Sequence, residues 1–333
     1  MVTADVTTRQ HIPPPREWGR RVASFAVVGL IALLVFVFSA LRPDTFATAA
    51  NAQTILVESA VLTILSLAVM VPLIVNEFDL SLAAVLGLAA MLAAGLPARQ
   101  GFSVGLTLVT IFAVALAVGA VHAWLIVRLN LPSFVVTLGT NSVLAGLILL
   151  YSGGAVVYEA IPDGIRIIGT ASVAGIGMPI LLMAAIAALL WFMLTQRPVG
   201  RFFYAVGANE TAARLAGVPT ARIRVLALVG APMLAAVAGL VLTARVGSAN
   251  PTSYSAFFLP AFAAAFLSLA AFQIGKFNPL GVVAAVYLLA VGVAGLSQLG
   301  VPSWVDPVFN GAALVVAIAL SRLTADRRTA GAV

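Results

Sequence analysis

The chain has 333 residues, of which 62% are hydrophobic and 9% charged, with 18 Lys and Arg against 11 Asp and Glu. A soluble domain of this size needs a far more polar surface, so the composition excludes one; the absence of Cys excludes disulfides and thiolate metal sites. Lipid offers the backbone no hydrogen-bond partners, so the fold class is an all-α membrane protein. The pI near 10.8 is better explained by Arg placed to fix topology than by a nucleic-acid partner. His11 and His122 are too few for a histidine metal site.

In chain order, residues 1–23, with Pro13-Pro14-Pro15, read as a flexible cytoplasmic arm without a signal peptide. Ten apolar segments follow, at roughly 24–41, 53–75, 80–96, 102–127, 133–151, 173–195, 225–245, 257–274, 279–298 and 307–322. Each is about long enough to cross a bilayer. The shorter three, 80–96, 257–274 and 307–322, are also compatible with partly re-entrant helices, which would leave nine or eight crossings. Ten crossings with both termini cytoplasmic place Arg42, Arg99, Arg166 and Arg245 outside and the other 14 of the 18 Lys and Arg inside. The four Trp fall near proposed boundaries, Trp18, Trp124 and Trp191 inside and Trp304 outside. Residues 24–323 form a single transmembrane domain, and 324–333 a short cytoplasmic tail. No soluble domain is expected within the chain.

One stretch, near 197–224, reads as neither span nor tight turn. Within it Asn209 is a good N-cap, Glu210 sits where the helix dipole favours an anion, and Gly217 and Pro219 end the helix. So short a helix is marginal in water and needs a surface to pack on. Ala212, Ala213 and Ala216 make one side small enough for close approach. Docking to a partner and packing on the protein's own spans both remain open.

Polar groups inside or beside spans are candidates for a pathway. Glu58 lies about one and a half turns inside the second segment, where a carboxylate is costly unless paired or wet. Arg245 is a possible partner, and snorkelling the alternative. Asp79 reads as an N-cap supported by Ser81, or as a gate or ligand contact; Glu77 reads as solvated. Thr137, Gly139 and Thr140 suggest either a pathway lining or a close helix contact. Asn310 is the polar group inside the tenth segment, while Gln273 and Gln298 read as solvated at span ends. No catalytic constellation is present, and no Gly-rich loop leads to Lys-Ser or Lys-Thr, so ATP binding in the P-loop manner is not expected here.

Four stretches together resemble the permeases of ribose-type ATP-driven (ABC) importers. They are Gly200–Val218, Asp79-Leu80-Ser81-Leu82, Leu131–Thr140 followed by Ser152-Gly153-Gly154, and Leu242–Pro251; the resemblance spans roughly residues 50–323. It implies the membrane-spanning subunit of an importer of a monosaccharide or related polyol, in the bacterial cytoplasmic membrane. It implies three partners: a cytoplasmic ATP-binding protein, a periplasmic or lipid-anchored substrate-binding protein, and a second permease copy or close paralogue. It implies no cofactor on this chain, and ATP hydrolysis on a separate one. By the same resemblance, Asn209, Glu210, Ala212, Ala213, Arg214 and Gly217 lie at the contact with the ATPase. Two departures stand out. Asn76-Glu77 occupies the place of two glycines, and Phe266–Gly281 replaces a glycine-rich stretch, keeping only Gly275 and Gly281. Alternatives are a permease for a branched-chain amino acid or nucleoside, an ion-coupled secondary transporter with buried relay residues, and a scaffold without transport.

Overall fold

The computed structural model describes residues 25–158, 161–302 and 304–315. The N-terminal arm, the tail, Trp18, His11 and the end of the tenth segment lie outside them. The described residues form α1 (Ala26–Leu41), α2 (Ala49–Ile74), α3 (Leu82–Gln100), α4 (Val104–His122), which continues as a π-turn over Ala123–Arg128, and α5 (Ser133–Ser152). Then come α6 (Asp163–Thr170), the hairpin strands β1 (Ser172–Val173) and β2 (Ile176–Gly177), α7 (Met178–Gln196), α8 (Pro198–Ala208) and α9 (Glu210–Leu215). The chain closes with α10 (Thr220–Val246), α11 (Phe258–Leu267), α12 (Pro279–Gln298) and α13 (Val305–Val315). The antiparallel hairpin turns through Ala174 and Gly175, both at positive φ.

Eight segments are long and apolar enough to cross a membrane; α1 and α13 are apolar but shorter. Eight of the apolar segments read from the sequence fall on these spans, with ends displaced by a few residues, and the described parts of the first and tenth fall on α1 and α13. The sixth starts late, because the hairpin occupies 172–177. The described residues 153–158 and 161–177 make a second region that is neither span nor tight turn, contrary to the sequence reading. Its anchor is a bridge between Val157 and Ala249, and α6 packs on α10 and α7.

The centre is built from α2, α3 and α10, which are apolar on every side and mostly buried. On α10, Ala227, Ala231, Ala235 and Gly239 recur every fourth residue and are buried. This stripe of small side chains lets backbones approach closely. A Cβ on Gly239 would collide with the Leu86 carbonyl of α3, and Thr243 Oγ1 donates to the Ala90 carbonyl at 2.8 Å. By contrast, α4, α5 and α7 leave most of their apolar surface outward, as helices facing lipid do. Trp124, Trp191 and Trp304 are exposed near helix ends.

Candidate functional site

The polar groups gather at the end of the bundle that carries α8 and α9. Asn209 caps α9, its Oδ1 accepting from the Ala212 N–H at 2.9 Å. Glu210 occupies the first turn and Arg214 the last, and Gly217 leaves the helix at φ 84°. The sequence punctuation therefore marks this helix correctly. Ala213 alone is buried beneath it. Ala212, Arg214, Ala216 and Gly217 face outward, and Leu215 is 85% exposed.

Beside α8 lies the break between α2 and α3. The last turn of α2 closes through Asn76 at φ 60°, with Asn76 N–H donating to Leu73 and Glu77 N–H to Pro72. Asn tolerates this left-handed backbone better than most side chains. Its side chain also donates to the Gly207 carbonyl at 2.6 Å. Only glycine fits at 207, since a Cβ there would strike the Ile74 carbonyl. So α8 is seated directly on the end of α2.

The rest of the break is stitched to α4 and α5. Asp79 Oδ1 accepts from Ser81 N–H at 3.0 Å and from Ser81 Oγ at 2.6 Å. The N-cap position of α3 is Ser81, whose side chain makes no capping bond; Asp79 organises the turn before it. The other oxygen of Asp79 stands 3.4 Å from His122 Nδ1, and neither side chain is exposed. Across the ring, His122 Nε2 lies 3.1 Å from Thr140 Oγ1. Phe78 N–H donates to Ser133 Oγ and Leu80 N–H to Thr137 Oγ1, each at 3.1 Å. The π-turn begins directly after His122, and such turns cluster at functional sites. Thr137 and Thr140, paired in the sequence as pathway candidates, thus both serve this knot.

Glu77 is not solvated, contrary to expectation: it is 7% exposed and sits 2.6 Å from Arg224 Nη2 on α10. The same Arg224 reaches Glu210. Sequence reading also missed His122 and Asn278. Asn278 caps α12, accepting from Gly281 N–H at 2.7 Å. Its amide lies 3.0 Å from each of the Ser268, Ala271 and Lys276 carbonyls. One side chain thereby holds the loop that stands in for a glycine-rich stretch. Tyr204 of α8 donates to the Phe277 carbonyl of that loop at 2.7 Å, and burial pushes its hydroxyl up to about 12. Helix α8 is therefore clasped both to the α2–α3 break and to the loop before α12.

Two candidates lie elsewhere. Glu58, with its side chain 61% exposed, is 3.5 Å from Arg245 at the opposite end of the bundle. Asn310 lies half-buried on α13. Gln298 is not free at its span end; its amide donates to Asn51 Oδ1 at 2.8 Å. No group of three metal-ligating side chains occurs among the described residues.

The arrangement is a bundle of membrane-length helices with the short helix α9 facing outward at its end. Residues 51–318 match the family described as branched-chain amino acid transport system / permease component. A D-allose transport system permease protein of Escherichia coli (strain K12) is 30% identical over 88% of this chain and 90% of its own. A ribose import permease protein of Bacillus subtilis (strain 168) is 30% identical over 87% and 90%. An autoinducer 2 import system permease protein of Enterobacter sp. (strain 638) is 29% identical over 90% and 86%. No solved structure matches. The chain is a multi-pass membrane protein and a transport subunit rather than an enzyme, and it belongs to the branched-chain amino acid transport system permease family.

Proposed function

We propose that this chain is the membrane-spanning permease of an ATP-driven importer of a monosaccharide or related polyol. It would act with a cytoplasmic ATP-binding protein, a substrate-binding protein and a second permease copy, in a bacterial cytoplasmic membrane, with ten crossings and both termini inside. The cargo class rests on relatives whose names specify D-allose and ribose. A relative named for autoinducer 2 import keeps other small polar solutes in view. The observation that carries the reading is α9. It is a capped two-turn helix with Leu215 outermost, standing on α8, which is clasped to two interhelical segments. A surface of this kind fits an ATP-binding subunit whose closure shifts the helix and rocks the spans. Asn209, Glu210, Ala212, Arg214 and Gly217 would flank that contact, with Ala213 supporting it from below. Glu58, Asp79, Thr137, Thr140 and Asn310 are the pathway proposals; of these, Asp79 and Thr137 are buried at the hinge and act by positioning it.

The test is uptake by proteoliposomes holding the permease with its co-encoded ATP-binding and substrate-binding proteins, screened against labelled monosaccharides. ATP-dependent accumulation of one of them supports the reading. Uptake driven by an ion gradient without ATP would replace it with a secondary transporter.

A further inference from the structure

We propose that Glu77 is a positioning residue for transport, tying the α2–α3 hinge through Arg224 to the helix that meets the ATP-binding subunit; this rests on the function proposed above. Three elements converge here, the α2–α3 break and, 147 residues from it along the chain, α10 with its neighbour α9. Arg224 Nη2 and Nε lie 2.6 and 2.7 Å from Glu77 Oε1, and its Nη1 lies 3.4 Å from Glu210 Oε1. A planar guanidinium has donors enough to hold two carboxylates in one fixed geometry. The two arms differ. Side-chain exposure is 9% at Glu77, 15% at Arg224 and 43% at Glu210. The hinge arm is short and enclosed, so releasing it strands a buried charge, whereas the α9 arm is longer and wetter.

The neighbours of Glu77 decide where a displacement goes. One residue before it, Asn76 is bonded to α8 through Gly207. One and two residues after it, Phe78 and Asp79 are fixed to α5 and α4 through Ser133, Thr137 and His122. A shift of α9 pulls on Arg224, then on Glu77, and arrives at a segment attached to two spanning helices. Asn76-Glu77 is also the first departure from the resembled pattern.

The test uses the full chain with Glu77→Gln, Glu210→Gln and both together. Amide exchange of the purified permease reads the linkage, and solute imported per ATP in the reconstituted complex reads the function. Linkage is reciprocal, so Glu77→Gln speeds exchange across 209–215 and Glu210→Gln across 76–81, each by about five- to tenfold. The double substitution adds less than the two single effects. Solute per ATP falls about tenfold in Glu77→Gln, within the usual range of coupling, while ATP hydrolysis persists. If Glu77→Gln does not fold, Arg224→Lys, which keeps the charge and loses the fork, gives the same loss. Exchange effects confined to each substituted element would overturn the proposal. So would uptake and hydrolysis falling in equal proportion, as a mere brace requires. No ATP-driven uptake by the unsubstituted complex would overturn the proposed function and this role with it; uptake with unlinked exchange would overturn this role alone.

Discussion

Asp79 and His122 stand 3.4 Å apart with neither side chain exposed, pinning the α2–α3 break to α4. Asp79 Oδ2 and His122 Nδ1 have no hydrogen-bond partner among the described residues, so each depends on the other. The Thr140 hydroxyl donates to the Val136 carbonyl at 2.9 Å and also meets His122 Nε2 at 3.1 Å. Removing Asp79 therefore disturbs α4, α5 and the hinge together.

Asp79→Ala is expected to cost about 2–3 kcal/mol, because both Ser81 donors lose their buried acceptor. Ser81→Ala, which removes one donor to the same carboxylate, is expected to cost about 1 kcal/mol. Thermal unfolding of the detergent-solubilised chain separates them. Equal small shifts would mean that the pair contributes no more than a capping turn.

Tyr204 gives a pH signature. Its hydroxyl donates to the Phe277 carbonyl, and Tyr204→Phe leaves that acceptor unpaired at a cost of about 1–3 kcal/mol. The folded chain holds the phenolic proton more tightly than the unfolded chain, with the hydroxyl raised from 10.0 to about 12. The stabilisation is complete below the unfolded value and is lost as pH rises through the folded one. The advantage of the parent over Tyr204→Phe should hold at neutral pH and shrink between pH 10 and about 12, as followed by unfolding midpoints. A constant difference across that window would contradict the bond.

How much of this was legible beforehand depends on distance along the chain. The α9 helix could be read because Asn209, Glu210, Gly217 and Pro219 act on their own neighbours. The spans could be read because burial in lipid demands long apolar runs. In sequence the hairpin at 172–177 reads as the start of a span, since Val173, Ile176 and Met178 are as apolar as the helix that follows. Glu77 and His122 could not be placed, because their partners, Arg224 and Asp79, are 147 and 43 residues away and no local pattern encodes the pairing. Polarity inside an apolar stretch was the available signal. It singled out Asp79, Thr137 and Thr140 but could not say that they share one knot.

Glu58 tests the opposite end. Glu58 itself is well exposed, although Arg245 is only 25% so, and the two stand 3.5 Å apart, so Glu58→Gln should change stability by about 1 kcal/mol. If the carboxylate faces the solute path, uptake should nonetheless fall severalfold at unchanged ATP hydrolysis. Unchanged uptake would reduce it to a surface ion pair that holds α2 against α10.

The most direct measurement exploits the absence of Cys from the chain. Leu215→Cys places a single thiol on the outermost residue of α9, and a short bifunctional cross-linker then reports what stands there in native membranes. The expected product joins the permease to a P-loop ATP-binding protein and changes in yield when ATP is added. A thiol at Leu215 that captures no ATP-binding protein, while the permease remains assembled and active in uptake, would contradict the account of α9 as the coupling helix.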